Sequence, residues 1–250
     1  MAKLSKRLKL IADHIEKGQT MADIGTDHGF LPLYLWDNSI CPKIIMTDVS
    51  KFSLNKAKVA FGEYSDGEGI DFRVGNGLKV IAEKEVDVVV ISGIGGILIT
   101  QILGEDLRKT LSFDKFILHP ATGAGKLRYW LQKAGFLTIS EGLAEEGKFI
   151  CEVMAVIPPK RIEAVPSLDD YREAIEHEMS DGFPNHGTEL LIKFIKRKLD
   201  TEIGILKMMV EGQTGRTKKI AETEDRIRFL KEKIKEAEAF DAHRRDNKDH

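Results

Sequence analysis

Several features that would assign a protein class are scarce in this 250-residue chain. It has only two cysteines, Cys41 and Cys151, and their isolation predicts two small hydrophobic side chains rather than a disulfide. No stretch approaches about 18 uncharged apolar residues, so we expect no membrane span. The polar start over residues 1–9 also lacks the apolar core of a secretion signal. The sequence therefore predicts a cytoplasmic protein with no membrane partner.

An excess of either charge is also absent. The chain has 38 basic and 40 acidic residues and a formal net charge of −2, so no overall basic field attracts nucleic acid. Basic residues cluster at 193–198 and 226–235, with acidic residues in or next to each cluster. A solvated helix face is the default interpretation of such a pattern. Extended helical arms that place lysine and arginine along an RNA backbone are the alternative.

The first part of the chain alternates short apolar runs with helical patterns. The runs lie at 20–24, 43–47, 71–74, 86–92 and 115–118, and the helical patterns at 6–17, 53–61, 97–109 and 125–134. This alternation predicts an α/β fold with a parallel sheet covered by helices on both faces. The last two runs, 136–140 and 149–157, are too close for a crossover helix and must pair antiparallel. Such a terminal antiparallel hairpin is typical of many methyltransferases.

The character of the chain changes after Pro158-Pro159. Residues 160–250 are charged and mostly helical, with two apolar stripes at alternating three- and four-residue steps (195–210 and 220–237). The stripes predict an all-α, coiled-coil domain made of an antiparallel helical pair. We therefore expect a first domain over residues 1–159 and a second over 160–250. We expect a monomer, although the same stripes would also allow two chains to pair.

The segment from Met21 to Pro32 carries the most specific pattern. A short apolar strand ends at Asp23 and Ile24, and Gly25 and Gly29 follow in a turn that lets backbone approach a ligand. Asp27 lies where the dinucleotide fingerprint requires glycine, and its charge would oppose a pyrophosphate. A cofactor with a sulfonium cation and a zwitterionic tail tolerates that charge, which favours S-adenosylmethionine. An ordinary structural turn is the alternative.

Two further strand ends contain candidate cofactor residues. Asp48, followed by Val49, closes the second strand, where an acid accepts hydrogen bonds from ribose hydroxyls. The alternative is a helix cap formed by Asp48 or Ser50. Asn76-Gly77 follows the third strand, where a side-chain amide would contact an adenine ring. For the tripeptide Gly75-Asn76-Gly77 a plain turn is the stronger interpretation from the residues alone.

The fourth strand ends in Ser92-Gly93-Ile94-Gly95-Gly96, which predicts a glycine-rich loop where a substrate meets the methyl donor. The Asn/Asp-Pro-Pro-aromatic motif of many enzymes that methylate exocyclic amines is absent. Its absence favours a ring nitrogen, which needs alignment with the sulfonium more than it needs a base.

Two histidines are the remaining candidates for chemistry. His28 would orient the substrate base or take a proton, or it would only bond the loop backbone. His119-Pro120 would close the fifth strand at the pocket rim. No metal-ligand spacing joins these histidines to the cysteines, so we assign no metal.

Taken together, the motifs resemble those of the bacterial tRNA (adenine-22-N1)-methyltransferases. The segments that carry the resemblance are 5–8, 22–32, 75–78, 93–96, 127–131 and 226–234, which extend over nearly the whole chain. The resemblance implies a Rossmann-like class I S-adenosylmethionine methyltransferase sheet and a C-terminal coiled-coil domain. It also implies methylation of N1 of adenosine 22, with tRNA as the partner and S-adenosylmethionine as the cofactor.

The resemblance assigns expected roles to individual residues. Those expected to bind the cofactor are Asp23, Gly25, Thr26, Gly29, Asp48, Val49, Asn76, Gly77, Gly93 and Ile94. Those expected to border the target base, as the catalytic set, are Asp27, His28, Gly95 and Gly96.

The chain also departs from the family pattern. Asn76 stands where the family usually has aspartate, His119-Pro120-Ala121 where it tends to have Gln-Pro-Asn, and Phe30 where it often has tyrosine. The entry to the coiled coil at residues 181–187 is also atypical. Two alternatives therefore accompany the main hypothesis. One is a methyltransferase that acts on another RNA or nucleobase, and the other is a cofactor-binding, RNA-docking protein without turnover.

Overall fold

The computed structural model describes residues 4–169, 171, 175–180, 188–211 and 217–246. Contacts divide the chain into two compact units, Met1–Leu168 and Asp169–His250. This division lies beyond the boundary predicted at Pro159, because Ile162 and Leu168 still pack against the core of the first unit. The atypical segment 181–187 lies outside the described residues. None of the described helices combines the length and the apolar character that crossing a bilayer requires.

The first unit contains one seven-stranded mixed sheet. Its strands are β1 (Met21–Ile24), β2 (Ile44–Asp48), β3 (Ile70–Val74), β4 (Val88–Gly95), β5 (Lys115–Thr122), β6 (Leu137–Glu146) and β7 (Phe149–Ile157). Their spatial order is β3-β2-β1-β4-β5-β7-β6. β1 to β5 are parallel, whereas β7 runs antiparallel to β5 and β6. The predicted α/β class and the terminal antiparallel hairpin are confirmed.

Helices lie between most of the strands, as predicted, although some bounds differ and only a short 3-10 helix (Gly77–Val80) lies between β3 and β4. They are α1 (Lys6–Ala12), α2 (Phe30–Asp37), α3 (Lys51–Phe61), α4 (Gly96–Glu105), α5 (Leu107–Thr110) and α6 (Ala124–Lys133). α1 ends earlier than predicted because tight turns follow it and the Gly18 N–H bonds the Ile40 carbonyl at 2.8 Å. The helix predicted over 97–109 is two helices, since Asp106 leaves the helical conformation and caps α5.

Parallel strands buried on both faces form the centre of this unit. All four residues of β1 and the first four of β2 are buried, as expected when helices cover both sides of a sheet. Two apolar clusters, one on each side, contain Ile91, Phe116 and Trp130 in one case and Leu35, Ile44 and Met46 in the other. These clusters stabilise the strand ends that carry the site.

The order of the strands reverses at β1 and β4. From β1 the chain proceeds outward to β2 and β3, and it then returns to place β4 on the other side of β1. The connections after β1 and β4 therefore leave in opposite directions. In open parallel sheets such a reversal produces a ligand-binding crevice at the carboxyl ends of the strands.

The described part of the second unit consists mainly of α7 (Thr188–Glu211) and α8 (Thr217–Asp246). Ion pairs join Lys196 to Glu238 and Arg226 to Glu202, so the two helices are antiparallel. The stripe predicted on α8 is confirmed at its buried positions Thr223, Ile227, Leu230 and Ala237. The stripe predicted on α7 is wrong in its second half, where Ile203 and Val210 are exposed, while Leu191, Phe194 and Ile195 are buried.

Candidate active site

A cavity of about 630 Å³ opens at the carboxyl ends of β1 and β4, where the strand order reverses. This volume lies within the range of small-molecule sites. The residues that line it come from α1, the turn after β1, the start of α2, the end of β4 and the end of β6. They are Leu4, Ser5, Arg7, Leu8, Asp23, Gly25, Thr26, Asp27, His28, Phe30, Leu31, Ser92, Gly93, Ile94 and Glu146.

Two glycines on facing strand ends leave the cavity open. Gly25 and Gly93 have φ angles of 79° and 85°, and a Cβ added to either would meet no atom within 4 Å. Positive φ is strained for any other residue, so both positions require glycine. The open space beside each backbone allows a ligand to contact the peptide groups directly.

A buried carboxylate lies at the base of the cavity. Asp23 is 6% exposed, and its Oδ2 accepts a hydrogen bond of 2.6 Å from the Thr26 hydroxyl. Burial raises the pKa of Asp23 to about 6, although the Thr26 hydrogen bond and the Arg7 charge act in the opposite direction. A buried anion of this kind is stabilised by an incoming cation, so it suits the ammonium group of an amino-acid tail.

The mouth of the cavity carries an acid, an imidazole and an aromatic ring. Asp27 is exposed at a φ of 45°, and its Oδ1 lies 3.0 Å from Lys56 Nζ. The His28 ring stacks on the Phe30 ring with a centroid distance of 5.3 Å and an interplanar angle of 7°. Both rings are about half exposed, so they can contact a flat ligand entering the cavity.

Four of the predicted cofactor residues lie at neighbouring strand ends rather than in the cavity lining. Asp48 is the last residue of β2 and Val49 follows it, with 70% of Val49 exposed. Asp48 Oδ1 accepts a 2.7 Å hydrogen bond from the Ser50 N–H, while Ser50 itself caps α3. The side chain that caps α3 is therefore that of Ser50 and not that of Asp48.

Asn76 is exposed and lines a neighbouring cavity of about 570 Å³. Gly77, next to it, is buried, and a Cβ there would lie 3.1 Å from Ile102. The strand-end residues thus border the carboxyl edge of the sheet on the side of β2 and β3.

The other predicted glycines have packing roles. A Cβ at Gly29 would lie 3.0 Å from the Ala57 Cβ, and one at Gly96 would lie 2.5 Å from the Gly123 carbonyl oxygen. The loop predicted over Gly93–Gly96 is wrong, because β4 runs through Gly95 and α4 begins at Gly96. The glycines at 95 and 96 allow this direct transition beside the segment that follows β5, and neither lines the cavity.

Sequence reasoning missed a polar network on the opposite wall. Arg7 Nη1 donates to Ser92 Oγ at 2.8 Å, and Arg7 Nε donates to Glu146 Oε2 at 3.1 Å. The Ser5 hydroxyl donates to the same carboxylate oxygen at 2.7 Å. Ser5 and Arg7 belong to the first predicted motif, but nothing in its spacing indicates that they face the end of β4.

His119 is part of this network and not of the cavity rim, because β5 continues to Thr122. Its Nδ1 accepts hydrogen bonds from the Gly93 N–H at 3.0 Å and from the Ser92 hydroxyl at 3.2 Å. Burial, followed by the Arg7 charge, lowers the pKa of His119 to about 4, so the ring is neutral near pH 7. The ring therefore fixes the Gly93 backbone instead of exchanging protons with a ligand.

The arrangement suits binding and alignment more than acid–base or metal chemistry. Across the parts of the chain that the structure describes, no group of three or more His, Cys, Asp or Glu side chains could hold a metal ion. The cavity instead combines one buried carboxylate, two open glycine backbones and a stacked pair of rings. Such a site can hold a zwitterionic cofactor and bring a planar substrate to it.

Comparisons with known proteins agree with this geometry. A family model described as a methyltransferase domain matches residues 4–154. The tRNA (adenine(22)-N(1))-methyltransferase of Bacillus subtilis is 36% identical over 152 residues, which are 61% of this chain and 64% of that protein. The aligned segment thus covers less than two thirds of this curated relative.

Solved structures match over more of the chain. The B. subtilis tRNA methyltransferase TrmK superposes with a TM-score of 0.72 at 28% identity, covering 94% of this chain and all of that one. Streptococcus pneumoniae Sp1610, a putative tRNA methyltransferase solved in complex with S-adenosyl-L-methionine, gives 0.71 at 27% identity over 93% of this chain. The resemblance indicated by the sequence motifs is confirmed. Because the family model matches more than half of the length of this chain, the chain belongs to the methyltransferase-domain family.

Proposed function

We propose that this protein methylates N1 of adenosine 22 in tRNA and uses S-adenosylmethionine as the methyl donor. The observation that carries the proposal is the cavity between β1 and β4, where a buried carboxylate faces two open glycine backbones. The tRNA specificity is supported by similarity to the B. subtilis enzyme that carries this name.

The residues of the cavity fit the cofactor. Asp23, buried and with a raised pKa, would accept hydrogen bonds from the ammonium group, and that cation would remove the cost of the buried charge. Thr26 keeps one Asp23 oxygen fixed. When bound, S-adenosylmethionine supplies an electrophilic methyl group on a sulfonium.

The strand ends beside the cavity would hold the nucleoside part. Asp48 would accept hydrogen bonds from the ribose hydroxyls, with Val49 packed against the adenine, and the Asn76 side chain would bond its exocyclic amine. All three lie at or just after the carboxyl ends of β2 and β3, at the same sheet edge as the cavity. The site would thus extend from Asp23 across β2 to β3.

The mouth of the cavity would hold the target base. His28 and Phe30 present two stacked, half-exposed rings, on which an adenine taken out of its stack can lie. Because N1 of adenine attacks with an in-plane lone pair, the residues need to align it and need not first remove a proton. Asp27 and the Gly93 backbone would border the base on either side.

The helical unit would supply contacts to tRNA phosphates. α7 and α8 extend over 24 and 30 residues and carry basic side chains along their exposed faces. We further propose that the protein is cytoplasmic and acts as a monomer, since α7 and α8 contact each other within one chain and residues such as Ile195 and Leu230 are buried there.

The test is to incubate the protein with S-adenosylmethionine and unmodified bacterial tRNA, then digest the tRNA and identify its nucleosides by mass spectrometry. We expect 1-methyladenosine, and primer extension on the same tRNA should stop next to position 22. A different methylated nucleoside would move the protein to another RNA substrate. Tight cofactor binding without any product would indicate a non-catalytic RNA-docking protein.

A further inference from the structure

Helix α3 carries only positive charges, and the proposed function gives them no role. Its eleven residues, Lys51–Phe61, include three lysines and no acidic residue. By contrast α7 has five basic and four acidic residues, and α8 has nine and eight. The helix thus carries three positive charges in a chain whose formal net charge is −2, and one of them, on Lys56, is paired with Asp27.

Large apolar side chains are exposed on the same helix. Phe52 is 73% exposed and Val59 is 81% exposed. Phe52, Lys56 and Val59 are spaced i, i+4, i+7 and therefore lie on one face. Lys56 Nζ lies 5.3 Å from the centre of the Phe52 ring, so this face alternates lysine with an aromatic ring. We call Lys51, Phe52, Lys56 and Val59 the α3 surface.

The α3 surface adjoins the mouth of the cavity. Lys56 Nζ lies 3.0 Å from Oδ1 of Asp27, which lines the cavity. The backbone of Gly29, at the start of α2, packs against Ala57 on the inner face of the helix. These two contacts hold α3 directly beside the turn that carries the stacked rings.

Lys51 is the basic residue of this surface that is nearest in sequence to the end of β2. It begins the helix only three positions after Asp48, at the edge of the sheet where the cavity opens. Lys51 is exposed, so its ammonium group can contact a phosphate that approaches from solvent.

We propose that the α3 surface is a docking site for the tRNA segment next to the methylated adenosine. This inference rests on the proposed function and adds a second RNA contact to it. Lysine ammonium groups complement phosphates, and an exposed phenylalanine ring offers a face on which an unstacked base can lie. The position of the surface beside His28 and Phe30 would let it hold the strand from which the target base is removed.

The first test compares two lysines that differ in position and match in chemistry. Lys51→Gln removes a charge from the α3 surface. Lys17→Gln removes a charge from the exposed segment before β1, at the opposite edge of the sheet. With full-length protein and unmodified tRNA, Lys51→Gln should reduce the slope of log affinity against log salt by about 1, whereas Lys17→Gln should leave it unchanged. Equal slopes for the two variants would overturn the proposal.

The second test uses Phe52→Ala, which removes the exposed ring. We expect the tRNA affinity to fall about 5- to 100-fold, as for the loss of one base-stacking contact. Calorimetry should give an unchanged affinity for S-adenosylmethionine. A fall of the same size in the affinity for S-adenosylmethionine would assign the ring to the cofactor and overturn the proposal. The proposal would also fail if the unaltered protein sediments as a dimer and Phe52→Ala as a monomer, because the helix would then bind a second copy of the chain.

The outcome is separable from that of the proposed function. If the unaltered protein forms 1-methyladenosine in tRNA, and both Lys51→Gln and Phe52→Ala bind tRNA normally, the function stands and the docking site fails. If the unaltered protein neither methylates nor binds tRNA, the proposed function fails first.

Discussion

The two units of the chain use charged side chains in different ways. In Met1–Leu168 a few charged groups are buried together, as in the ion pairs of Arg128 with Glu141 and Glu152, whose side chains are all at most 10% exposed. In the helical unit the charges lie at the surface, as in the pair of Lys196 with Glu238. A buried charged group destabilises the fold unless it is paired and hydrogen-bonded, so a buried pair specifies one geometry. An exposed ion pair contributes little to stability. We therefore expect the chemistry to depend on the first unit and RNA affinity to draw on the second.

Removing the second unit would divide the two roles most clearly. A chain ending at Leu168 keeps the residues that pack against the first core. We expect its affinity for S-adenosylmethionine to be unchanged and its affinity for tRNA to fall about 100-fold or more, because several phosphate contacts are lost. Calorimetry and filter binding measure the two affinities, and a thermal melt checks that the sheet unit is folded. Unchanged tRNA affinity would contradict the role given to the helical unit.

A matched pair of arginine variants would test the difference in burial. Arg128→Met leaves Glu141 and Glu152 as buried anions without the cation between them, so the free energy of unfolding should fall by about 3–5 kcal/mol. Arg226→Met removes the more exposed pair with Glu202, and its cost should be about 1 kcal/mol or less. Urea unfolding measures both. Similar losses of unfolding free energy for the two variants would contradict the claim that only the first unit depends on buried ion pairs.

The ionisation of Asp23 should make both the stability of the protein and its affinity for the cofactor depend on pH. Its pKa is raised in the folded protein, so its contribution to stability is fully present below about pH 4 and is lost as the pH rises through about 6. Asp23→Asn should therefore unfold at higher temperature than the unaltered protein at pH 8 when no cofactor is present.

The same substitution should weaken cofactor binding by about 1.5–3 kcal/mol, because a charge-assisted hydrogen bond to the ammonium is lost. In the unaltered protein the affinity should increase with pH through about 6 and then level off. Calorimetry between pH 5 and 8 measures this dependence, with Asp13→Asn, an exposed residue of the same type, as the control. A pH-independent affinity would exclude Asp23 as the ammonium ligand.

His28 should affect turnover without changing cofactor affinity. Its ring lies on the Phe30 ring at the mouth of the cavity, whereas the carboxylates proposed to hold the cofactor are Asp23 at the base of the cavity and Asp48 at the end of β2. His28→Ala should lower kcat by about 10- to 100-fold through poorer alignment of the base. Single-turnover kinetics at saturating cofactor would measure this effect. Normal turnover would make His28 a structural residue of the turn.

Most of the fold could be predicted because it depends on local patterns. The apolar runs of β1 and β2 and the short gap between β6 and β7 determine the parallel sheet and its antiparallel end. The glycines that line the cavity, Gly25 and Gly93, could be singled out from the sequence because a backbone position with positive φ favours glycine. The exposure of Ile203 and Val210 could not be predicted, since an apolar stripe does not reveal which of its residues meets a partner helix.

The wall formed by Arg7, Ser92, His119 and Glu146 could not be predicted for a related reason. Its hydrogen bonds join residues separated by 27 to 139 positions, and only the folded sheet brings them together. The spacing of residues in a motif predicts which side chains are neighbours on one helix or strand, but it does not predict contacts between distant segments. His119 illustrates this difference, since its position at a strand end predicted a residue at the pocket rim, while in the structure it is buried beside Ser92 of the neighbouring strand.

The most direct test of the account is methyl transfer to two tRNA transcripts that differ only at position 22. With labelled S-adenosylmethionine and saturating protein, the transcript with adenosine at that position should take up about one methyl group per molecule, and the transcript with guanosine should take up none. Equal labelling of both transcripts, or no labelling of either, would contradict the claim that this cavity methylates adenosine 22.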